Sequence, residues 1–338
     1  MSTPTIRLAC GPYDRTSAIV HGQVGIPGID LEVVEMTETA EMFASMAAGK
    51  YDASEMSLAE LVYRTSRGPC DFIGIPVFPS RVFRHGFIFY NRLSNIRRPE
   101  DLTGKKLGFA NLIQTASVWI RGMLLEEFGI APEQTELYVA TLRHAADNAP
   151  SRDLRTPEGS IIHQLERRGK NAAETVALAL QEGHVDAICT TRITPAFGTD
   201  RNLKRLFEHY RSAEIEYFKK TKIFPIMHVL VVQKSAIEKH PDLPTQLFNL
   251  FSESKQRAYE WQRNPSSMSI VWHGSYLEDE QKIFPNDPWA YGLAENAHVI
   301  EKFLAYCSDL GTSERRIEAK DLFSPSTWTL REETRASS

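Results

Sequence analysis

The chain has 338 residues, 42% of them hydrophobic and 24% charged, with a formal net charge of −4. That length exceeds the usual size of one hydrophobic core, so two lobes are expected, and the mild acidity excludes nucleic acid or an anionic membrane as the main partner. No apolar run reaches about 18 residues, which excludes a membrane-spanning helix, and Cys10, Cys70, Cys189 and Cys307 are too scattered for a disulfide framework or a zinc site.

The start, MSTPTIRLACG, has no basic region ahead of a long apolar run. A cytoplasmic location with reduced thiols is therefore expected. Residues 6–10 read as a buried strand, followed by Tyr13-Asp14-Arg15-Thr16, a loop with a phenol, an acid, a base and a hydroxyl. Met42, Phe43, Met46 and Ala47 share one helical face that stops at Gly49. Ile75-Pro76-Val77-Phe78-Pro79-Ser80-Arg81-Val82-Phe83-Arg84-His85-Gly86 is an extended segment in which Arg81, Arg84 and His85 alternate with apolar residues. A helix is predicted over Thr115–Phe128, with Thr115 as N-cap, Ile120, Leu124 and Phe128 on one stripe, and Gly129 as stop. Trp119, one turn in, is placed to wall a cleft, whereas Arg121 faces away from the cap. Residues 147–159 read as an exposed loop. Arg192 follows a strand at 185–189, and His228 lies on an apolar strand. Helices at 245–262 and 292–310 should pack back on the first lobe, and residues 331–338 form a polar tail.

Two internal echoes support the two-lobe reading. Residues 7–16 align with 106–115, each a basic residue, a short strand, a loop and a threonine opening a helix. Residues 48–53 align with 182–187, where a helix ends at glycine and Asp-Ala starts a strand. The expected architecture is α/β, each lobe a mixed sheet flanked by helices, with a cleft between them. Residues 1–90 with 228–330 form one lobe and 91–227 the other, with hinge crossings near 87–92 and 222–232.

Ligands of open α/β sheets bind beyond the carboxyl ends of the strands. The loops at 11–16, 54–57, 110–115 and 190–195 meet that rule, and helix N-termini at Thr16, Ser57 and Thr115 would favour a carboxylate. Charges set among apolar residues are costly to bury without a partner, which points Arg81 and Arg84 toward a ligand anion. Duller alternatives stand beside these: a solvated Asp14–Arg15 pair, an edge strand carrying Arg81 and Arg84, and a satisfied core imidazole at His228. GxSxG, P-loop, GxGxxG, HExxH and CxxC patterns are absent, which counts against hydrolase, nucleotide and zinc chemistry.

On Gly11-Pro12-Tyr13-Asp14-Arg15-Thr16, Ser54-Glu55-Met56-Ser57, the 75–85 segment, 115–122, Asp186-Ala187 and Phe224-Pro225-Ile226-Met227-His228, the chain resembles the 4,5-dihydroxyphthalate decarboxylase family. These are cytoplasmic relatives of type 2 periplasmic solute-binding proteins. The chain departs from the family pattern at Asn111-Leu112-Ile113-Gln114. The resemblance implies non-oxidative loss of one carboxyl group from a dihydroxylated aromatic diacid, with no organic cofactor and with metal dependence left open. Under it, Arg81, Arg84 and Arg192 anchor a substrate carboxylate, helped by Ser57 and Thr115, with Tyr13, Arg15, Ser80, Trp119 and Arg121 as further substrate contacts. Asp14, Glu55, His85 and His228 are the candidates for proton transfer, the imidazoles preferred because they titrate near neutrality, and His85 foremost. A non-catalytic binding protein for a small aromatic carboxylate remains the alternative. A pyrimidine-precursor synthase would want clustered cysteines. A homo-oligomer is neither implied nor excluded.

Overall fold

A computed structural model describes residues 3–141, 160–194 and 196–332. The loop expected at 147–159 and the tail beyond 332 lie outside the described residues. The strands, in chain order, are β1 (Thr5–Cys10), β2 (Asp30–Glu35), β3 (Ala53–Ser57), β4 (Phe72–Arg81), β5 (Ile88–Asn91), β6 (Lys106–Phe109), β7 (Glu136–Val139), β8 (Ile161–Gln164), β9 (Ala187–Cys189), β10 (Leu203–Arg205) and β11 (Ile226–Gln233). The helices used below are α1 (Asp14–Val20), α2 (Thr39–Ala47), α3 (Leu58–Arg67), α4 (Thr115–Phe128), α5 (Ala172–Gln181), α6 (Tyr210–Thr221), α7 (Lys234–Lys239), α8 (Leu243–Gln262), α9 (His273–Ile283) and α10 (Leu293–Asp309).

The strands form two mixed sheets, ordered β2-β1-β3-β11-β4 and β10-β5-β9-β6-β7-β8. In the first, β1 is parallel to β2 and β3, and β11 enters antiparallel between β3 and β4. In the second, β6 is parallel to β7 and β9, and β5 runs antiparallel beside β9. In each sheet one strand, β11 in the first and β5 in the second, runs antiparallel to all the others and is delivered by chain that has just left the other sheet. The passages lie between Arg81 and Ile88 and between Thr221 and Ile226.

The internal echoes have a physical basis in this frame. The Asp52 carboxylate accepts from the Arg7 amide at 2.9 Å, and the Asp186 carboxylate accepts from the Lys106 amide at 2.9 Å. The Asp52 and Asp186 amides in turn donate to the Arg7 and Lys106 carbonyls, both at 2.9 Å. The aspartates therefore fix the register of β3 against β1 and of β9 against β6, and satisfy backbone groups where each pairing begins. The preceding Gly49 and Gly183 both have positive φ, the left-handed geometry that ends a helix.

α2 ends at Ala47, and α4 spans the expected residues with a left-handed Gly129 after it. Its N-cap is Gln114 and Thr115 is its first helical residue, one position on from the expectation. The apolar stripe is a second correction, because α4 is buried on all sides from Thr115 to Leu124. It packs on β11 and on α3 and α10 of the first lobe. Gly122 permits this: a Cβ there would lie 2.2 Å from the Tyr306 ring, so the ring rests directly on the helix backbone. The main apolar core consequently runs without a break from the first sheet into the second lobe. No helix among the described residues is long and apolar enough to cross a membrane.

Candidate functional site

A cavity of about 330 Å³ lies between the lobes at the carboxyl ends of the strands, where the sheet geometry places ligands. Pro12, Tyr13, Ser57, Ser80, Val82, Arg84, Met227 and His228 line it from the first lobe and the crossing that follows β4. Asn111, Gln114, Thr115, Thr191 and Arg192 line it from the second lobe, and Met36, Thr37, Thr39 and Phe43 close the third side.

The chemically dense part is built on Glu55, the third residue of β3, which is fully buried. Three donors converge on its carboxylate: the Tyr13 hydroxyl at 2.8 Å, the Gly11 amide at 3.0 Å and His228 Nδ1 at 2.5 Å. Burial alone would push this acid up. His228, Tyr13 and Gly11 together outweigh that and hold Glu55 below the usual carboxylate range. The Tyr13 phenol is driven well above its ordinary value by burial and by the charge of Glu55, so it stays protonated and donates. With Nδ1–H given to Glu55, Nε2 is the nitrogen that the His228 ring has left to offer the cavity it lines. The edge of the His228 ring meets Phe43 at 5.1 Å between centroids. Gly11 is needed for this geometry, since a Cβ there would lie 2.6 Å from the Tyr13 ring.

Thr16, expected to open a helix, is instead its third residue, after Tyr13 as N-cap. Its hydroxyl donates to the Gly11 carbonyl at 2.7 Å and accepts from the Tyr13 amide at 3.1 Å, which closes the loop. Thr115 Oγ1 accepts from the Ala59 amide at 3.0 Å and bonds Ser57 Oγ at 2.9 Å. A hydroxyl from one lobe therefore caps α3 of the other, in place of the Ser57 side chain, which makes no cap bond.

The 75–86 segment divides by strand alternation, which continues past the end of β4. Ser80, Val82 and Arg84 face the cavity. Arg81 lies on the opposite side, His85 opens a short 3-10 helix (His85–Phe87) after the chain turns at Arg84, and neither is on the cavity wall. The Arg81 guanidinium is spent on the carbonyls of Phe224 (3.4 Å) and Ala290 (3.0 Å) and on Asn296 Oδ1. His85 is packed among aromatic rings, 5.2 Å from both Phe207 and Tyr217, and burial pushes it down to about 4. Arg84 is buried and held through Nε on Met227 Sδ at 3.1 Å and Nη1 on the Thr191 carbonyl at 3.3 Å. Burial lowers it to about 9, opposed by the half-buried Glu214, which leaves it charged at neutral pH.

Other expected contacts also move off the wall. Trp119 donates to the Ile226 carbonyl at 2.8 Å and packs on Phe303 and Tyr306, as a core residue. Arg121 is buried beside its own helix, bonded to the Ser117 and Leu112 carbonyls. Asp14 binds Arg15 at 3.0 Å and accepts from Gln262. Arg15 sits behind Tyr13, with Nε on the Pro79 carbonyl at 2.5 Å. Arg192 does line the mouth, 68% exposed, 3.9 Å from Glu38. Met36, Thr37, Thr39 and Phe43 are not expected on the cavity wall from sequence, which places Phe43 only on a helical apolar face, although the rule about strand carboxyl ends applies to β2 as well. Among the described residues no group of three or more His, Cys, Asp or Glu side chains gathers as metal ligands would.

No family model matches the chain. It is 33% identical over 331 residues to a protein of Comamonas testosteroni named 4,5-dihydroxyphthalate decarboxylase, covering 96% of this chain and 98% of that one. A Pseudomonas putida protein of the same name is 30% identical over 202 residues, covering 58% of this chain and 74% of that one. Among solved structures, an alkanesulfonate-binding protein from Xanthomonas axonopodis pv. citri superposes with a TM-score of 0.56 at 12% identity, over 96% of this chain and 99% of that one. The ligand-binding component of an ABC-type import system from Staphylococcus aureus gives 0.52 at 11% identity, over 96% and 97%. These likenesses show the periplasmic-binding-protein fold.

Proposed function

Since the chain belongs to the 4,5-dihydroxyphthalate decarboxylase family, we propose that its cavity removes one carboxyl group from 4,5-dihydroxyphthalate, giving 3,4-dihydroxybenzoate and CO2. The observation that carries the reading is the Tyr13–Glu55–His228 chain, a buried carboxylate that holds an imidazole on the wall of a cavity with a buried arginine.

The reaction breaks the bond between a ring carbon and its carboxylate, leaves the electron pair on that carbon, and replaces CO2 by a proton. The hydroxyl para to the carbon feeds electron density to it as its own proton is withdrawn. His228 is the proton-transfer group: neutral, it accepts at Nε2, and charged, it delivers from the same atom while Glu55 stabilises the imidazolium. Tyr13 and the Gly11 amide fix the carboxylate, so that the imidazole keeps one tautomer and one orientation. Arg84 holds the carboxylate that is retained. An arginine on the departing carboxylate would stabilise the ground state, which does not accelerate the reaction. Val82, Phe43 and Met227 exclude water from the ring.

The alternative, a binding protein without chemistry, has no use for a buried carboxylate–imidazole pair. The four cysteines are free thiols, three of them buried, which supports a cytoplasmic setting. The test is to incubate the protein with 4,5-dihydroxyphthalate and measure CO2 and 3,4-dihydroxybenzoate in equal amounts. Saturable binding without product at high protein concentration would refute the enzyme and favour the binder.

A further inference from the structure

Tyr13 must be held before it can hold Glu55, and the structure shows what holds it. The Arg15 guanidinium lies over the Tyr13 ring at 4.3 Å and over the Trp289 ring at 4.1 Å. Its Nε is bonded to the Pro79 carbonyl on β4 at 2.5 Å and its Nη1 to Asp14 at 3.0 Å. A planar cation stacked on aromatic faces and pinned by two hydrogen bonds has one orientation to offer, and a lysine could not reproduce it. Trp289 is itself fixed from behind. Its amide donates to Asp287 Oδ1 at 2.8 Å, and its carbonyl accepts from the fully buried Lys255 at 2.9 Å, which is also paired with Asp287 and Glu332.

We propose that Arg15 and Trp289 are positioning residues: stacked in series on the Tyr13 ring, they fix its hydroxyl on Glu55 and so act on the reaction through the Tyr13–Glu55–His228 chain without touching substrate. Neither residue lines the cavity. The C-terminal part of the chain thereby buttresses a relay built on β3 and β11, at the far side of β4. The inference rests on the proposed decarboxylation for its kinetic readout, and has a second readout that does not.

The groups facing this relay are Glu55, Ser80 and Arg15 around Tyr13, and Asp14, Tyr13 and Tyr291 around Arg15. Of the two residues, only Arg15 carries charge, so Trp289→Leu tests positioning without altering the electrostatics. Arg15→Met and Trp289→Leu should each lower kcat about ten-fold and leave KM within about two-fold. Trp289→Phe, which keeps a ring over the guanidinium, should restore most of the rate. In a Tyr13→Phe background, both losses should vanish, because the route through the phenol is already cut. A rise in KM, or a loss that persists in that background, would overturn the proposal.

The second readout is the ring resonance of Tyr13 in protein labelled with 13C-tyrosine, assigned by its disappearance in Tyr13→Phe. It should move in Arg15→Met and Trp289→Leu and stay in place in Trp289→Phe. An unmoved resonance in Trp289→Leu would refute the positioning role. If the wild-type protein gives no product, the functional reading fails while this resonance still decides the structural one.

Discussion

His228 lines the cavity and His85 lies off its wall, and their surroundings make the two imidazoles chemically unlike. His228 gives one nitrogen to a buried carboxylate and lines the cavity. His85 is surrounded by Phe207 and Tyr217, its Nδ1 has no partner, and burial holds it down at about 4, so that it is neutral at pH 7. A histidine becomes a proton-transfer group when a neighbour both orients it and stabilises its charge. Without such a neighbour it serves as a flat, weakly polar packing unit. The comparison shifts attention from the Arg81–His85 run to a pair brought together across 173 residues.

The comparison can be broken first at Glu55. Glu55→Gln keeps the volume but replaces the charge that stabilises the imidazolium, and kcat should fall by about 10²–10⁴-fold with substrate affinity largely kept. Single-turnover kinetics would show it, and a variant of nearly full activity would remove Glu55 from the relay.

The next effect belongs to His85 and is one of stability. An unfolded imidazole takes a proton near pH 6.5, whereas the folded His85 refuses it until about 4. The folded state therefore binds fewer protons in that window, and stability is lost as pH falls from about 6.5 to about 4, by up to roughly 3 kcal/mol. His85→Leu should remove this increment, read as a flatter pH dependence of the urea midpoint. An identical pH profile in wild type and variant would contradict the account of His85.

Arg84→Met should raise KM by about 10–100-fold, more than it lowers kcat, since it removes the proposed carboxylate anchor from a buried position. A fall in kcat at unchanged KM would place Arg84 in the chemistry instead. The smallest effect is at the junction of the lobes: Thr115→Val removes the hydroxyl that caps α3 and should cost about 1 kcal/mol by denaturant unfolding.

Much of the fold was legible because it repeats. Gly49 and Gly183, then Asp52-Ala53 and Asp186-Ala187, mark the same helix end and the same strand start in each lobe, and the hydrogen bonds of the two aspartates match. The cavity was legible as loops at strand ends. Its internal geometry was less so, for two physical reasons. The first is parity and a turn: the alternation of an extended chain separates Ser80, Val82 and Arg84 from Arg81, the chain then turns at Arg84 so that His85 opens a 3-10 helix, and the dense charge of the run hid both. The second is register. His228 meets Glu55 because β11 enters antiparallel beside β3, with His228 opposite Ser57 and Leu230 opposite Glu55. Nothing local to either segment specifies that pairing. Trp119 and Arg121 were misplaced for a related reason, since only the docking of α4 onto α10 through Gly122 turns an amphipathic reading into a helix buried on all sides as far as Leu124.

The contrast between the two histidines is tested most directly by single-turnover CO2 release from 4,5-dihydroxyphthalate, measured side by side for wild type, His228→Asn and His85→Leu. The account predicts a loss of at least about 100-fold for His228→Asn and a rate within about three-fold of wild type for His85→Leu. The reverse ranking, with His85→Leu inactive yet folded and His228→Asn near wild type, would contradict it.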